Sequence, residues 1–426
     1  MNNSLFSNSI WAIAGSFISK GINFASIAFI AKILGPEMFG EYNVIQLTVG
    51  LFGTVSGLGL GLAATKLIAE WRERDIEKVG RIIGTLYTLS FIISLIVAIS
   101  FFTTSKLVAI ELLNNEKLTI LLQITSVIVI FDAINGVQNG VLTGFESFKE
   151  IAIVSTFVGV ISAPLLVAGA YYYGLVGLAV MLLLTRLLNV IVNRIYLEKK
   201  FKERKIHVRA KISKLELKNI LDISIPAFLS SIATSPVNWI STSIFVNQPG
   251  GYKDIGTYNA GNQLRTLVLF LPDSAGKITI PKLANEFGDK NLKKFKKTVS
   301  VTFLLNLVLS VLPAMVLYIF GGFFQQFMGL KFNLSDDLIA IVLLTGVLIA
   351  VTNAIGYIFI CSNLIWYDFL LRVFWGLALI LIIVFYGKGN GAVGYGLSIL
   401  FASVVHMVMQ LVILMFNFKL FYNDKK

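Results

Sequence analysis

Long apolar runs alternate with short polar segments along the whole chain. A helix needs about 20 consecutive, mostly apolar residues to cross the hydrocarbon of a bilayer. That length predicts an all-α membrane protein with about twelve spans, at roughly 10–33, 42–64, 82–104, 118–142, 150–172, 175–196, 221–246, 258–281, 298–321, 337–361, 367–387 and 392–418. Only Tyr173 and Gly174 separate spans five and six, which predicts a tight helical hairpin.

A stretch near the start of the chain returns 216 residues later without a gap. Eight residue pairs match, among them Gly40 with Gly256 and Tyr42 with Tyr258. So many pairs in register indicate an internal duplication. Each copy also carries a basic segment, 66–80 or 282–297, which we interpret as a short helix in the membrane interface, with a solvated loop as the alternative.

One long basic linker, residues 198–219, separates six spans from six. We therefore expect an N-terminal lobe of residues 1–197 and a C-terminal lobe of residues 220–426. Because each copy has an even number of spans, both lobes should have the same orientation. Such parallel repeats are related by a pseudo-twofold axis along the membrane normal, with a central cleft between them.

Composition and charge placement fit a membrane protein. The chain is 56% hydrophobic and only 14% charged. Its net charge of +13 does not indicate nucleic acid, because the basic residues lie in short loops between apolar runs. Of the 36 Lys and Arg residues, 26 lie in segments on one side and 6 on the other. The positive-inside rule therefore places both termini in the cytoplasm.

Most catalytic chemistries find no support in the sequence. The chain has one cysteine and two distant histidines, so no metal-ligand spacing exists. It contains no G-x-x-x-x-G-K-[ST] loop for nucleotide phosphates, and no acid/base dyad or nucleophile triad is visible. We expect no cofactor and interpret the chain as a secondary transporter rather than an enzyme.

Polar residues recur at helical spacing in spans one and seven. Span one carries Lys20 and Asn23 on one stripe with two serines. Span seven carries a matching stripe and a predicted kink at Pro236; its stripe consists of Ser231, Thr234, Asn238 and Thr242. The two stripes suggest the walls of a hydrated cleft. The alternative is that these side chains only help helices to pack.

Span eight gained charges that its counterpart, span two, lacks. Span two has Gly53, Gly57 and Gly61 at four-residue spacing, which suits close helix packing. Span eight instead carries Arg265 with Asn262 one turn away, followed by Asp273 and Lys277. Asp273 and Lys277 are spaced to form an i,i+4 pair.

Charges in hydrocarbon are costly, so they usually face a water-filled cavity or a partner. We interpret Arg265 as a ligand-facing cation that joins Lys20 in an anion site, because arginine matches phosphate bidentately. Arg186 and Asp132 are weaker candidates, and a structural bridge between them is an alternative. Asp132 or Asp273 is the candidate carrier of a coupling proton or sodium ion.

Residues 31–42 resemble the A-x-x-L-G-P-x-x-F-G-x-Y opening of polysaccharide repeat-unit flippases, which belong to the multidrug/oligosaccharidyl-lipid/polysaccharide exporter superfamily. The resemblance implies an undecaprenyl-pyrophosphate-linked oligosaccharide, such as an O-antigen unit, moved from the cytoplasmic to the outer leaflet of a bacterial cytoplasmic (inner) membrane by alternating access. It implies that Lys20 and Arg265 hold the pyrophosphate. Its implied partners are this anionic lipid, membrane lipids and other polysaccharide-assembly proteins.

Three alternatives to this function stay open at the level of the sequence. One is a cation-coupled multidrug exporter of the same superfamily, although cations outnumber acids in the middle of the spans. Another is a flippase for peptidoglycan or teichoic acid precursors. The third is a membrane glycan polymerase or ligase, which the short external loops disfavour.

Overall fold

The computed structural model describes residues 3–209, 214–289, 292–362 and 364–423, without the side chains of residues 3–20 and a few others such as Lys277. Its described residues contain helices and no strand. The helices are α1 Asn3–Gly57, α2 Leu60–Trp71, α3 Ile76–Leu107, α4 Leu118–Ser126, α5 Ile128–Gly144, α6 Phe148–Glu203, α7 Lys214–Ile232, α8 Ser235–Val246, α9 Gly251–Gly288, α10 Leu292–Ile319, α11 Gly321–Met328, α12 Asp336–Cys361, α13 Ile365–Ile382 and α14 Gly391–Asn423.

Two of these helices are pairs of spans joined at a glycine. In α1 the backbone turns at Gly35, with φ 73°, and in α6 it turns at Gly174, with φ 57°. Glycine adopts positive φ without a Cβ penalty, and Pro36 is well suited to begin the helical segment after Gly35. The turn at Gly174 confirms the predicted hairpin between spans five and six.

Eight helices of the described residues are long and apolar enough to cross a membrane. Two of them, Gly21–Gly57 and Phe148–Glu203, contain the glycine turns and therefore provide two spans each. The α7–α8 pair and the charged helix α9 account for the other two of the twelve expected spans. Span seven is interrupted between Ile232 and Ser235, which confirms the predicted kink at Pro236.

The chain forms two compact units. Unit 1 comprises Met1–Leu34 and Glu41–Trp239, and unit 2 comprises Gly35–Gly40 and Ile240–Lys426. The units are defined by which residues pack together, whereas the lobes expected at 1–197 and 220–426 are defined by the sequence repeat. The lobe boundaries therefore stay a prediction. In unit 1, helices α2, α3, α5 and α7 and the end of α6 share an apolar core.

Glycines allow helices to approach closely inside each unit. In unit 1 a Cβ on Gly140 would overlap the carbonyl oxygen of Gly61, so α2 and α5 cross backbone to backbone. In unit 2 a Cβ on Gly40 would overlap the carbonyl oxygen of Tyr252, and one on Gly256 would overlap that of Pro36. Gly40 and Gly256 are the duplicated pair, so the two matched glycines meet at one crossing inside unit 2.

The two basic segments are not separate helices, which corrects the expectation of interfacial helices at 66–80 and 282–297. Helix α2 continues to Trp71, and α3 begins at Ile76, where the Asp75 carboxylate caps it by accepting from the Lys78 N–H at 2.8 Å. In the second copy α9 itself continues to Gly288. In the first copy, the Asp75 N-cap favours the start of a new helix inside the segment.

Candidate functional site

A cavity of about 350 Å³ lies in unit 1 between the first helix and both halves of α6. Apolar residues such as Ile27 and Leu182 form part of its wall. Its polar lining residues are Asn23, Ser26, Tyr42, Gln46, Ser162, Thr185, Arg186 and Asn189. The structure therefore brings together Asn23 and Arg186, two of the residues that the sequence singled out.

Arg186 is held in this cavity by a carboxylate and faces a tyrosine. Its Nε lies 3.4 Å from Oδ1 of Asp132 on α5, so the bridge left open by the sequence is formed. The two side chains remain 40% and 30% exposed. Arg186 also interacts electrostatically with the buried Tyr42, whose hydroxyl accepts a hydrogen bond from Gln46 at 2.9 Å. The positive charge is thus neutralised but still accessible.

A second cavity of unit 1, of about 290 Å³, lies beside the same ion pair. Asp132 and Ser231 line it, together with the predicted glycine stripe of Gly53, Gly57 and Gly61. A Cβ added at Gly53 or Gly57 would meet no atom within 4 Å. Of the three stripe glycines, only Gly61 serves close helix packing, whereas Gly53 and Gly57 leave open space.

Part of the span-seven stripe takes part in contacts between helices. Thr242 shares a hydrogen bond of 2.9 Å with the Tyr395 hydroxyl in unit 2, which supports the packing alternative for this residue. Thr234 bonds the carbonyl of Ser231 within its own chain segment at 3.4 Å. Ser231 is the stripe residue that lines a cavity.

Arg265 is the central residue of the candidate site in unit 2. It is half-buried on α9, and its Nη1 donates to the Tyr258 hydroxyl at 3.4 Å. The Tyr258 and Tyr395 rings pack edge to face with centroids 4.9 Å apart. Gly346 of α12 lies against the arginine, because a Cβ there would come within 3.2 Å of Arg265 Cγ. Aromatic rings and a glycine thus position the guanidinium.

No carboxylate pairs with Arg265 among the residues that the structure describes. One turn away, Asn262 has a buried Oδ1 that finds no hydrogen-bond partner in the described part of the chain. An uncompensated guanidinium in a membrane span is suited to bind an anion, because the anion would supply the missing charge.

The remaining candidates are only partly placed. The side chains of Lys20 and Lys277 lie outside the described residues, so the anion role of Lys20 and the Asp273–Lys277 pair stay predictions. Asp273 is half-buried and interacts electrostatically with Tyr357 of α12. Within the described residues no group of three His, Cys, Asp or Glu side chains could hold a metal ion.

Among the uncharged members of the two sites, sequence reasoning found Asn23 and Asn262 but missed the tyrosines and Asn189. Tyr42 and Tyr258 were visible as a duplicated pair but were not assigned a role beside an arginine. Asn189 follows Arg186 by three residues and therefore lies on the same helix face, a spacing that could have revealed it. Tyr395 gave no local signal, because its relation to Arg265 depends on the packing of α14 against α9.

Comparisons with known proteins agree with this picture. The family model described as polysaccharide biosynthesis protein matches residues 5–287, and the MatE model matches residues 226–365. A Shigella flexneri protein named as an O-antigen transporter is 23% identical over 80% of this chain and 81% of its own length. Stage V sporulation protein B of Bacillus subtilis (strain 168) is 24% identical over 72% of this chain and 64% of its own length.

Solved transporter structures share the fold. One, described as the inward-facing conformation of a multidrug resistance MATE family transporter of the MOP superfamily, aligns with a TM-score of 0.78 at 16% identity. The alignment covers 98% of this chain and 100% of that one. Because the first family model covers well over half of the sequence, the chain belongs to the polysaccharide biosynthesis protein family, a family of transporters in the MOP superfamily.

Proposed function

We propose that this protein is a flippase for an undecaprenyl-pyrophosphate-linked oligosaccharide, the repeat unit of an O-antigen or another surface polysaccharide. It moves this lipid from the cytoplasmic to the outer leaflet by alternating access. The chain is a multi-pass membrane protein. Its charge distribution supports a bacterial cytoplasmic (inner) membrane location with both termini in the cytoplasm.

The proposal rests on one observation: Arg265 lies in a membrane span and has no carboxylate partner among the described residues. A lone charge in a membrane span costs at least about 2.5–3.5 kcal/mol. That cost is offset when the guanidinium binds an anion, and its planar fork matches two phosphate oxygens at once. A cationic drug would be repelled by the same group, which disfavours the multidrug-exporter alternative.

The polysaccharide cargo is supported by the family and by the relative in Shigella flexneri that is named as an O-antigen transporter. Arg186 is a second guanidinium in a span, but its charge is balanced by Asp132. Arg265 is therefore the better ligand for a pyrophosphate. Lys20 remains the predicted second cation, and other polysaccharide-assembly proteins remain predicted partners.

The membrane potential supports outward movement of such a substrate. A pyrophosphate carries about two negative charges, and each gains up to about 2.3 kcal/mol per 100 mV when it moves to the positive side. The membrane potential thus supplies several kcal/mol for export of the lipid, and no counter-ion is obligatory. If a coupling ion is needed, Asp132 or Asp273 is the candidate carrier.

Transport in reconstituted vesicles tests the proposal. The vesicles carry an imposed potential but no ion gradient, and the probe is the undecaprenyl-pyrophosphate-linked oligosaccharide extracted from the producing cells. We expect Arg265→Ala to slow its translocation about tenfold, because a charge-assisted bidentate contact is lost. Arg265→Lys should retain part of the rate, because the charge remains but the fork is lost.

Arg194→Ala is the matched control. Arg194 is an exposed arginine near the end of α6 whose Nε donates to Glu198 at 2.9 Å, so its removal should leave transport unchanged. Transport by Arg265→Ala at the wild-type rate would contradict the role of Arg265. Efflux of ethidium with no movement of the lipid would instead favour the multidrug exporter.

A further inference from the structure

Six polar side chains of α5 and the second half of α6 lie along two facing stripes inside unit 1. We call this set the amide ladder, although an ion pair forms one end. Its members are Asp132, Asn135 and Asn139 on α5, and Arg186, Asn189 and Asn193 on α6. On each helix the spacing is i, i+3, i+7, so each set lies along one face.

Hydrogen bonds join the amide ladder across the two helices. Asn193 Nδ2 donates to Asn135 Oδ1 at 2.6 Å and to Asn189 Oδ1 at 3.1 Å. Asn139 Nδ2 donates to the same Asn135 oxygen at 3.3 Å. One turn further along, the ion pair of Arg186 and Asp132 ends the series. The ladder is therefore built from contacts between α5 and α6 and not from isolated polar residues.

The amide ladder adjoins both cavities of unit 1. Arg186 and Asn189 line the cavity of about 350 Å³, and Asp132 lines the one of about 290 Å³. In the orientation proposed above, the end with Asn139 and Asn193 lies toward the cytoplasm and the ion pair lies deeper in the membrane. Of the ladder, three residues therefore line cavities, and the other three extend the polar stripe toward the side from which the substrate would enter.

The second copy shows that these helices do not need amides in order to pack. The offset of 216 residues places α5 inside α12 and the second half of α6 on α14. In unit 2, Val351 and Ile355 are buried in an apolar cluster against which Met409 packs. The offset pairs each ladder residue with an apolar one: Asn135 with Val351, Asn139 with Ile355, Asn189 with Val405, Asn193 with Met409, Asp132 with Leu348 and Arg186 with Ala402.

The amide ladder also keeps unused hydrogen-bonding capacity. Asn193 is 1% exposed, and its Oδ1 has no hydrogen-bond partner among the described residues. Asn135, Asn139 and Asn189 are only half-buried. Each amide has two donors and an oxygen with two lone pairs. The Asn135 oxygen already accepts two bonds, so Asn135 can only donate further, whereas Asn139 and Asn189 can both donate and accept. Polar groups at this depth are costly unless such bonds are made.

We propose that the amide ladder binds the sugar hydroxyls of the lipid-linked oligosaccharide, an inference that rests on the function proposed above. Sugar hydroxyls both donate and accept, as amides do, whereas phosphate oxygens only accept unless they are protonated. The ladder has no net charge, because Asp132 balances Arg186. It therefore suits a neutral polyol better than an anion.

The second copy also supplies the test variant. The triple substitution Asn135→Val, Asn189→Val and Asn193→Met installs the residues that stand at the corresponding positions of unit 2. The control is Asn306→Val, a buried asparagine of α10 whose Nδ2 bonds the Thr302 carbonyl of its own helix at 2.8 Å. The single variant Asn189→Ala, at a half-buried position, repeats the test if the triple variant fails to fold.

Binding is measured by native mass spectrometry on purified proteins with two probes. One probe is undecaprenyl pyrophosphate without sugar, and the other is the same lipid carrying the oligosaccharide from the producing cells. We expect the triple variant to bind the bare lipid like wild type and the glycosylated lipid about a hundredfold more weakly, since several hydrogen bonds at about tenfold each are lost. The single variant should lose about tenfold for the glycosylated lipid alone.

The outcomes separate the two proposals. Equal weakening for both probes, or wild-type binding of both, would overturn the role of the amide ladder while leaving the flippase function in place. If wild type bound neither lipid, the flippase proposal itself would fall, and the sugar-binding proposal with it. The Asn306→Val control should bind both probes like wild type.

Discussion

The two units place the same tyrosine beside an arginine, but the arginine comes from different helices. Tyr42 faces Arg186 of α6 in unit 1, whereas Tyr258 bonds Arg265 of its own helix, α9, in unit 2. Both tyrosines are buried, and they are the matched pair of the repeat. The two copies thus share the aromatic hydroxyl, while their arginines stand at different positions of the repeat.

The same contrast appears in other polar residues. Unit 1 has the amide ladder where unit 2 has an apolar core. Conversely, unit 2 has an ion pair in which Arg372 Nε lies 2.8 Å from Asp368 Oδ2, where unit 1 has Ala152 and Thr156. A difference at equivalent positions shows that packing alone does not require the polar residue. The comparison therefore separates functional candidates from structural ones.

The largest expected effect concerns what the copies share, the crossing at Gly40 and Gly256. Gly40→Ala and Gly256→Ala should each lower the free energy of unfolding by about 3 kcal/mol, because each Cβ would overlap a backbone carbonyl that cannot rotate away. Thermal unfolding of the purified variants in detergent measures this loss.

Gly53→Ala is the control, because its Cβ would enter open space and a helical alanine is favoured over glycine by about 0.5–1 kcal/mol. It should be as stable as wild type or slightly more so. A large loss for only one of Gly40 and Gly256 would break the symmetry that we infer for this crossing.

The next effect sharpens the difference between the two arginines. Arg186→Met should destabilise unit 1 by about 1 kcal/mol, because Asp132 is left without its partner in a partly solvated site. The double variant Arg186→Met with Asp132→Asn should recover most of that loss. Arg265→Met should keep or raise stability, because it removes an uncompensated charge and leaves no carboxylate behind among the described residues.

Chemical denaturation of wild type and the three variants measures these differences in the free energy of unfolding. If Arg265→Met were as destabilising as Arg186→Met, and no second substitution corrected it, Arg265 would be a structural residue. The contrast between a balanced and an unbalanced guanidinium would then be wrong.

The smallest effect concerns the tyrosine hydroxyls. Tyr258→Phe removes one hydrogen bond at 3.4 Å from Arg265, so transport of the lipid-linked oligosaccharide should slow about threefold without loss of stability. Tyr42→Phe removes the bond from Gln46 instead and should leave pyrophosphate binding unchanged. Rates in the vesicle assay compare the two, and a larger effect for Tyr42→Phe would reverse the assignment of the anion to unit 2.

Local signals in the sequence predicted much of the fold. Apolar runs gave the membrane class, and glycine and proline marked the breaks at Gly35, Gly174 and Pro236. The short helices expected at 66–80 and 282–297 were wrong because helix ends fall inside these segments: α2 ends at Trp71 and α3 begins at Ile76, while α9 ends at Gly288. Amphipathic character alone does not tell where a helix ends.

The candidate site was predictable only in part. Charged residues in spans are rare enough to attract notice, so Arg265, Arg186 and Asp132 were found. The asparagines of the amide ladder were missed, although Asp132, Asn135 and Asn139 repeat at helical spacing. Uncharged polar residues are common in membrane helices, where they often serve packing. Their importance becomes visible only when two such faces meet.

The sequence by itself determined the class, the duplication and the charges that a bilayer makes costly, because hydrophobicity and periodicity are local properties of the chain. The tertiary structure alone decided that Arg186 has a carboxylate partner and that Arg265 has none among the described residues, and that Asn193 joins α6 to Asn135 of α5. The reason is physical: such contacts depend on how each helix is rotated about its axis and which neighbour it packs against. No single stretch of sequence contains that information.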